Sequence, residues 1–98
     1  MVFSNLSNAI LTGAYMYNVL IIGANLTNAN LSGTNITYSN VNDANLTGAD
    51  LSNAIVVGVN MLGSDLSGAD LSNVIWGDTI CPDGTNSDNN GNTCENNL

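Results

Sequence analysis

Two cysteines, a few carboxylates and one Asn/Asp-rich loop carry what chemistry this sequence offers. Cys81 and Cys94 enclose twelve residues, and Pro82-Asp83-Gly84 opens the loop between them. A disulfide is the favoured reading, and it would contribute about 3 kcal/mol by restricting the tail. Two free thiols in a reducing compartment is the alternative, which a single pair in a short chain leaves open. The same two thiols lack the further ligands that zinc requires. Inside the loop, Asn86-Ser87-Asp88-Asn89-Asn90-Gly91 has the spacing of a calcium loop, with oxygen side chains at the first, third and fifth places and Gly at the sixth. Its first residue is Asn, however, and Asn97 stands at the twelfth place, where a bidentate Glu is needed. A capping loop rich in turn formers is therefore expected, and no metal or cofactor.

Catalysis finds little to work with. The chain contains no His and no Lys, so acid/base chemistry would rest on carboxylates alone. Asp50 and Asp70 lie twenty residues apart, a separation that stacks them directly in a coil of that length, with Asp65 on the adjacent face. No cleft or nucleophile accompanies this acidic stack, which reads as a solvated polar face. The expectation is that the protein is not an enzyme. Sequons such as Asn5-Leu6-Ser7, Asn25-Leu26-Thr27 and Asn45-Leu46-Thr47 are by-products of the repeat and carry no weight as glycosylation sites.

Charge excludes further classes. The 98 residues include no Lys or Arg and eight Asp and Glu, a formal charge of -8. Phosphate neutralisation is impossible with that set, so direct nucleic acid binding is not expected, and an anionic membrane surface is disfavoured for the same reason. Apolar residues make up 44%, too many and too regular for a solvated tail. The longest apolar run, near Val19 to Ile22, falls far short of a membrane span, so no membrane insertion is expected. The start shows no basic region, apolar core or cleavage site of a secretion signal. Cytoplasmic residence is the expectation, or an extracytoplasmic one if the disulfide forms and a leader is missing from the sequence.

What must position these residues is a repeat. After Met1 to Phe3, fifteen pentapeptides run without a gap from Ser4 to Asp78. The third residue of each, its centre, is apolar throughout: Leu6, Leu11, Met16, Ile21, Leu26 and so on to Trp76. The residue two before each centre is small or short-branched, as in Ala9, Ala29, Thr34 and Val59. A period of five cannot be an amphipathic helix, since five steps of about 100° turn the apolar position roughly 140° round the axis. Nor can it be a straight strand, because alternate centres would face opposite sides. The chain must bend once per repeat. The fifth position is Gly in seven repeats and Asn or Asp in seven more, residues that tolerate left-handed backbone, and Tyr38 alone breaks the rule.

Comparing centres twenty residues apart counts the bends per coil. Leu6, Leu26, Leu46 and Leu66 form one column, and Leu11, Leu31, Leu51 and Leu71 the next. The third is Met16, Ile36, Val56 and Trp76, and the fourth Ile21, Val41, Met61 and Cys81. A superperiod of four pentapeptides explains this purity, giving nearly four coils stacked about 4.8 Å apart in a rod roughly 15 to 20 Å long. Residues 1–80 form the repeat body and residues 81–98 a capping tail that folds back with Trp76 over the last coil. Stacked Asn residues, Asn25 with Asn45 and Asn40 with Asn60, suggest side-chain ladders.

Units such as Ala24-Asn25-Leu26-Thr27-Asn28, Ala44-Asn45-Leu46-Thr47-Gly48 and Ala69-Asp70-Leu71-Ser72-Asn73 resemble the A(D/N)LXX unit of the pentapeptide-repeat family. The resemblance covers about four-fifths of the chain. It implies an all-β fold, a right-handed quadrilateral β-helix, and the Cys-bounded tail resembles a terminal module of some members. Because other members mimic DNA and bind type II topoisomerases, the resemblance also offers an acidic DNA-mimic inhibitor as an alternative function. Duplex DNA carries a charge about every 1.7 Å, whereas the repeats here offer about one per 4 Å of rod, which argues against mimicry.

The outward positions give the better-supported reading. Around the two Leu columns they are mostly Asn, Asp, Ser and Thr. Around the other two lie Tyr15, Tyr17, Leu20, Ile22, Tyr38, Ile55, Val57, Leu62, Ile75 and Ile80. An apolar strip of this size predicts a contact surface, although packing under the tail or in distorted corners would also account for part of it. The first coil has only Met1 to Phe3 to cover it, so its edge is open to another coiled rod. The function expected is a structural or protein-interaction module of unknown partner, binding through the apolar face, by self-association, or by stacking onto another repeat protein.

Overall fold

A computed structural model describes residues 2–95 and 98; Met1 and Asn97, which figured in the reading of the lead-in and of the loop, lie outside the described residues. The backbone bridges settle the coil length. Parallel bridges join Asn5 to Asn25, Ile10 to Asn30, Tyr15 to Asn35 and Leu20 to Asn40, and the series continues to Asn60 and Ile80, always at a separation of twenty. Two three-residue strands, β1 (Ile55–Val57) and β2 (Ile75–Gly77), pair in parallel with Ile55 opposite Ile75. A short 3-10 turn at Ser87–Asn89 is the one helical element among the described residues. Extents of 32 × 25 × 22 Å make the molecule a squat block rather than a long rod.

A single bonding scheme, followed by most of the pentapeptides, explains why the consensus reads as it does. The residue before the centre, here the bridge position, sends both its N–H and its C=O toward the preceding coil: Asn25 N donates to Ser4 O, and Asn25 O accepts from Leu6 N. The residue closing the repeat donates to the following coil, as Asn28 N does to Thr47 O at 2.9 Å. The next residue turns back on the centre, Ala29 N donating to Leu26 O at 3.0 Å. This leaves the N–H just after the centre without a backbone acceptor, and the Asn or Asp at the bridge position takes it: Thr27 N and its hydroxyl both donate to Asn25 Oδ1. Backbone donors near an interior must be satisfied, and an Asx turn does so locally. The same arrangement recurs at Asn30, Asn35, Asp50, Asp65 and Asp70. These oxygens therefore bond within their own turn, and the stacked Asn residues are turn formers first.

The side chain of the closing residue is set by its neighbour one coil on. Tyr38 holds φ of 59°, a left-handed conformation uncommon for an aromatic residue, and its ring lies across Gly58, where a Cβ would collide with it. Asn28 lies over Gly48 in the same way. The apparent exception at Tyr38 thus obeys the backbone rule and is accommodated by a glycine below.

Centres and small residues fill the interior, where Leu26, Leu46, Leu51, Val56 and Met61 are almost wholly buried. In the fourth column the small position alternates Val19, Ser39, Val59, Thr79, and the alternation has a cause. Val19 and Val59 make no return bond to the preceding centre. Instead the Ser39 hydroxyl accepts from Val19 N and donates to Met16 O, and Thr79 Oγ1 accepts from Val59 N and donates to Val56 O. A hydroxyl from the next coil thus completes each opened turn.

The tail ends the stack by changing strand direction. Ile80 bridges Asn60 in parallel on one side and Asn86 in antiparallel on the other. Ser87 N donates to Thr79 O and Thr79 N to Ser87 Oγ, with both residues fully buried. The Cys81–Cys94 disulfide, Cα–Cα 5.4 Å, fastens the loop over the fourth column. The open alternative of two free thiols does not apply to this fold.

Candidate functional site

The bridge position and the residue after the centre both point outward, so the identity of these residues decides what the surface can do. Where an Asn or Asp is followed two residues on by Ser or Thr, the two are joined in a turn, whereas Asn42 Oδ1 is buried with no hydrogen-bond partner among the described residues. Where they are apolar they project. Tyr15 is 73% exposed and Tyr38 57%, with Tyr17 between them. Tyr15 and Tyr17 stack with centroids 5.8 Å apart, and Tyr17 meets Tyr38 edge to face at 5.4 Å. Such pairs hold rings in place beyond their apolar burial, so the three tyrosines form an ordered ledge that crosses from the first coil to the second. Leu20 is exposed beside it on the next face, while Ile22 is half-buried.

The remaining members of the expected face are divided from this ledge. Asn35 and Thr37 stand between Tyr15/Tyr17 and Ile55/Val57, and Asn40 and Asn42 between Leu20/Ile22 and Leu62. Ile55 and Val57 are half-buried in the β1–β2 ladder, while Leu62, Ile75 and Ile80 are exposed. The apolar exterior is thus two patches, an aromatic one on the first two coils and an aliphatic one near the tail, separated by polar turns. Four exposed large residues lie outside the expected set, Val2 and Leu98 near the chain ends and, more exposed, Ile10 at 81% and Phe3 at 79%. Ile10 sits in a Leu column otherwise bordered by polar residues, so sorting by column hid it. The signal that finds it is the absence of Asn or Asp at a bridge position.

The carboxylates present a different picture. Asp50 and Asp70 are bridge partners, one above the other, and Asp65 occupies the neighbouring column. Each gives an oxygen to the serine two residues on: Ser52, Ser72 and Ser67. The Ser67 hydroxyl and amide hold Asp65 below the usual carboxylate value, with a further contribution from the Thr47 hydroxyl. The Ser72 hydroxyl and amide do the same for Asp70. A carboxylate made more acidic and fixed in a turn is a poor general acid or base near neutrality.

In the tail, the residues with calcium-loop spacing bond to backbone. Asn86 Oδ1 accepts from Asp88 N and caps the 3-10 turn, Asp88 Oδ1 accepts from Asp78 N, and Asn86 Nδ2 donates to Asp78 Oδ1. Their oxygens secure the tail to the last coil rather than converging on one point. A shallow concavity of about 390 Å³ opens at the fourth coil, lined by residues 64–69 and Leu98. No helix among the described residues is long and apolar enough to cross a membrane.

Comparison with known proteins agrees with this geometry. The family model described as Pentapeptide repeats matches residues 1–37, 14–53 and 44–75, with 8 copies. No curated protein sequence matches significantly. Among solved structures, the chain is similar to HetL of the cyanobacterium Nostoc sp. strain PCC 7120, a pentapeptide repeat protein involved in heterocyst differentiation regulation, with a TM-score of 0.87 and 29% identity over 88% of this chain. It is also similar to the pentapeptide repeat protein Rfr23 of Cyanothece 51142, with a TM-score of 0.72 and 35% identity over 72% of this chain. A third similar structure is a pentapeptide repeat protein from the Arabidopsis thaliana thylakoid lumen, with a TM-score of 0.62 and 25% identity over 81% of this chain. The chain spans 40% of HetL, 48% of Rfr23 and 59% of the Arabidopsis protein.

Proposed function

The chain belongs to the pentapeptide-repeat family, and from that premise we propose that it is a non-catalytic interaction module built on a right-handed quadrilateral β-helix of nearly four coils. Its docking surface is the ordered tyrosine ledge of Tyr15, Tyr17 and Tyr38, with Leu20 at its margin. The observation that carries this reading is the stacking of three partly exposed rings against one another on the outer face of the first two coils. Rigid aromatic side chains lose little conformational entropy on binding, which is why interfaces favour them. A protein partner fits this surface best, because without a single Lys, Arg or His it cannot neutralise a run of phosphates.

The test is comparative. The intact chain and a Tyr17→Ser/Tyr38→Ser variant, matched in circular dichroism, are used to capture proteins from the same extract. A protein held by the first and lost by the second supports the ledge. Identical captures from both would end the proposal.

Acidic DNA mimicry is the weaker reading. All the carboxylates fall at Asp43 or later, leaving the first two coils uncharged apart from Asp43 at their end, whereas a duplex mimic needs charge along its whole length. Supercoiling by a type II topoisomerase that continues undiminished at micromolar protein would remove it. The Cys81–Cys94 bridge favours an oxidising compartment, and thiol labelling of protein trapped in its native cells reads that directly.

A further inference from the structure

Asn is a chemically labile side chain, and the repeat protects it in a way that the tail does not. Of the nineteen Asn in the chain, Asn90 alone precedes Gly. In the repeat body the N–H that follows each Asn is tied in a hydrogen bond. After a bridge position it joins the next coil, as Leu26 N does to Asn45 O at 2.7 Å; after a closing position it turns back, as Ala29 N does to Leu26 O at 3.0 Å. Gly91 N has no acceptor among the described residues, and a Cβ built at Gly91 would meet nothing within 4 Å, so the space around this nitrogen is open. The Asn90 carboxamide, however, is held away from it. Asn90 Nδ2 donates to Thr85 Oγ1 at 2.7 Å and lies 3.9 Å from Cys81 Sγ. A ψ of 35° puts Gly91 N on the far side of the Cα–C bond from the Asn90 side chain. All of these contacts lie within the loop that the Cys81–Cys94 bridge closes.

We propose that Asn90-Gly91 is a self-modification site, kept silent by the Cys81–Cys94 bridge and released when a dithiol reductant opens it. Reduction takes two electrons and two protons from the dithiol, leaving two protein thiols and a disulfide on the reductant. The freed backbone then rotates about ψ of Asn90, and Gly91 N attacks Asn90 Cγ. The N–Cγ bond forms and the Cγ–Nδ2 bond breaks. Nδ2 leaves as ammonia with the proton from Gly91 N, and a succinimide ring remains. Water opens either carbonyl of the ring, giving an aspartate or an isoaspartate at position 90. Reoxidation does not reverse this step. The Thr85 hydroxyl already donates to Asp83 Oδ1 at 2.6 Å, so it has no second proton to offer a carboxylate, which would also stand beside Asp83. The isoaspartyl form adds a carbon to the backbone between Ser87 and Cys94. A single loss of the bridge thus leaves a permanently weakened cap, a one-way record of exposure to a reducing compartment. The adjacent Asp83-Gly84 pair offers the same ring chemistry in principle, but Gly84 N is bonded to Cys81 O at 2.9 Å. The site lies beyond the docking role proposed above and does not depend on it.

The 98-residue chain is incubated at mildly alkaline pH with and without dithiothreitol, and amide loss at each Asn is followed by peptide mass spectrometry. Circular dichroism monitors the repeat body in the same samples. The oxidised wild type keeps the Asn90 amide. The reduced wild type loses it more than about tenfold faster, because the reaction proceeds from the opened tail and the bridge limits that opening. The loss is confined to Asn90 while the repeat signal stays unchanged. Thr85→Val releases the carboxamide without touching the bridge, so this variant loses its amide faster than wild type while still oxidised. Gly91→Ala crowds the attacking nitrogen and slows the reduced chain. Equal rates for oxidised and reduced wild type overturn the inference, as does a reduced chain in which Asn90 reacts no faster than the repeat asparagines. So does an oxidised Thr85→Val as stable as wild type, or an acceleration that appears only where the repeat signal is lost.

Discussion

Thr79 serves the last coil with its hydroxyl more than with its size. The group accepts from Val59 N at 3.3 Å and donates to Val56 O at 2.8 Å, completing a turn in the coil before. Thr79→Val preserves the volume and orphans both backbone groups in a fully buried site, so we expect a loss of about 1–3 kcal/mol. A urea midpoint unchanged from wild type would show that the valine-opened turn closes unaided. Asp65 and Asp70 act through charge instead. Their native values lie below the ordinary 3.8, so the stabilisation they provide is complete above that value and disappears as pH falls through the lowered native values. Asn at the same position makes the same turn at Asn25 and Asn30. The Asp65→Asn/Asp70→Asn variant should therefore show a flatter fall in urea midpoint between about pH 5 and pH 3. Equal slopes in the two proteins would remove these carboxylates from the acid response.

At the scale of the element, the pentapeptide proves to be a bonding unit, and that determines how much of it could be read in advance. Apolar centres and left-handed closing positions follow from elementary sterics, and the twenty-residue columns follow from Leu46 and Leu51 having Leu on both sides. The Asx turn was not legible as such: Asn25 over Asn45 looks like a ladder until the amide of Thr27 is seen to lack any other acceptor. The hydroxyl bridge of Ser39 was hidden because Ser is also a small residue, and smallness alone sufficed to place it. Ile10 was hidden by its polar neighbours in the column. The tail was read as a cap from its cysteines, but its device is a reversal of strand direction at Ile80, for which pairing partners were needed. Because Ser87, Thr79 and the disulfide hold the same few residues, Cys81→Ser/Cys94→Ser should cost about 3 kcal/mol. The loss should appear first as faster exchange of the Ser87 and Asn90 amides, and a tail that stays as protected as before would assign its stability to the Ser87–Thr79 bonds alone.

The whole molecule is a one-dimensional stack in which each coil leans on its neighbours, and stability in such an array is a sum of coil and contact contributions. Among the described residues the middle coils have a neighbour on both sides and the first has one, and of its four centres Leu6 and Leu11 are half-buried while Met16 and Ile21 are buried. Leu46→Ala removes a nearly inaccessible side chain from a middle coil and should cost about 2–5 kcal/mol. Leu6→Ala, at a half-buried centre, should cost less than half as much because less contact is lost. Local opening should follow the same gradient. The Leu46 and Leu51 amides, bonded to Asp65 O and Asp70 O at 2.7 and 2.8 Å, should exchange only through global unfolding. The Leu6 and Leu11 amides make bonds just as short, to Asn25 O and Asn30 O at 2.7 and 2.8 Å, so a difference in their exchange cannot come from the individual bonds. Faster exchange at Leu6 and Leu11 would locate the first opening at the first coil. If all four amides exchange at one rate, the stack unfolds as a single unit, and the tail contributes to the stability of every coil alike.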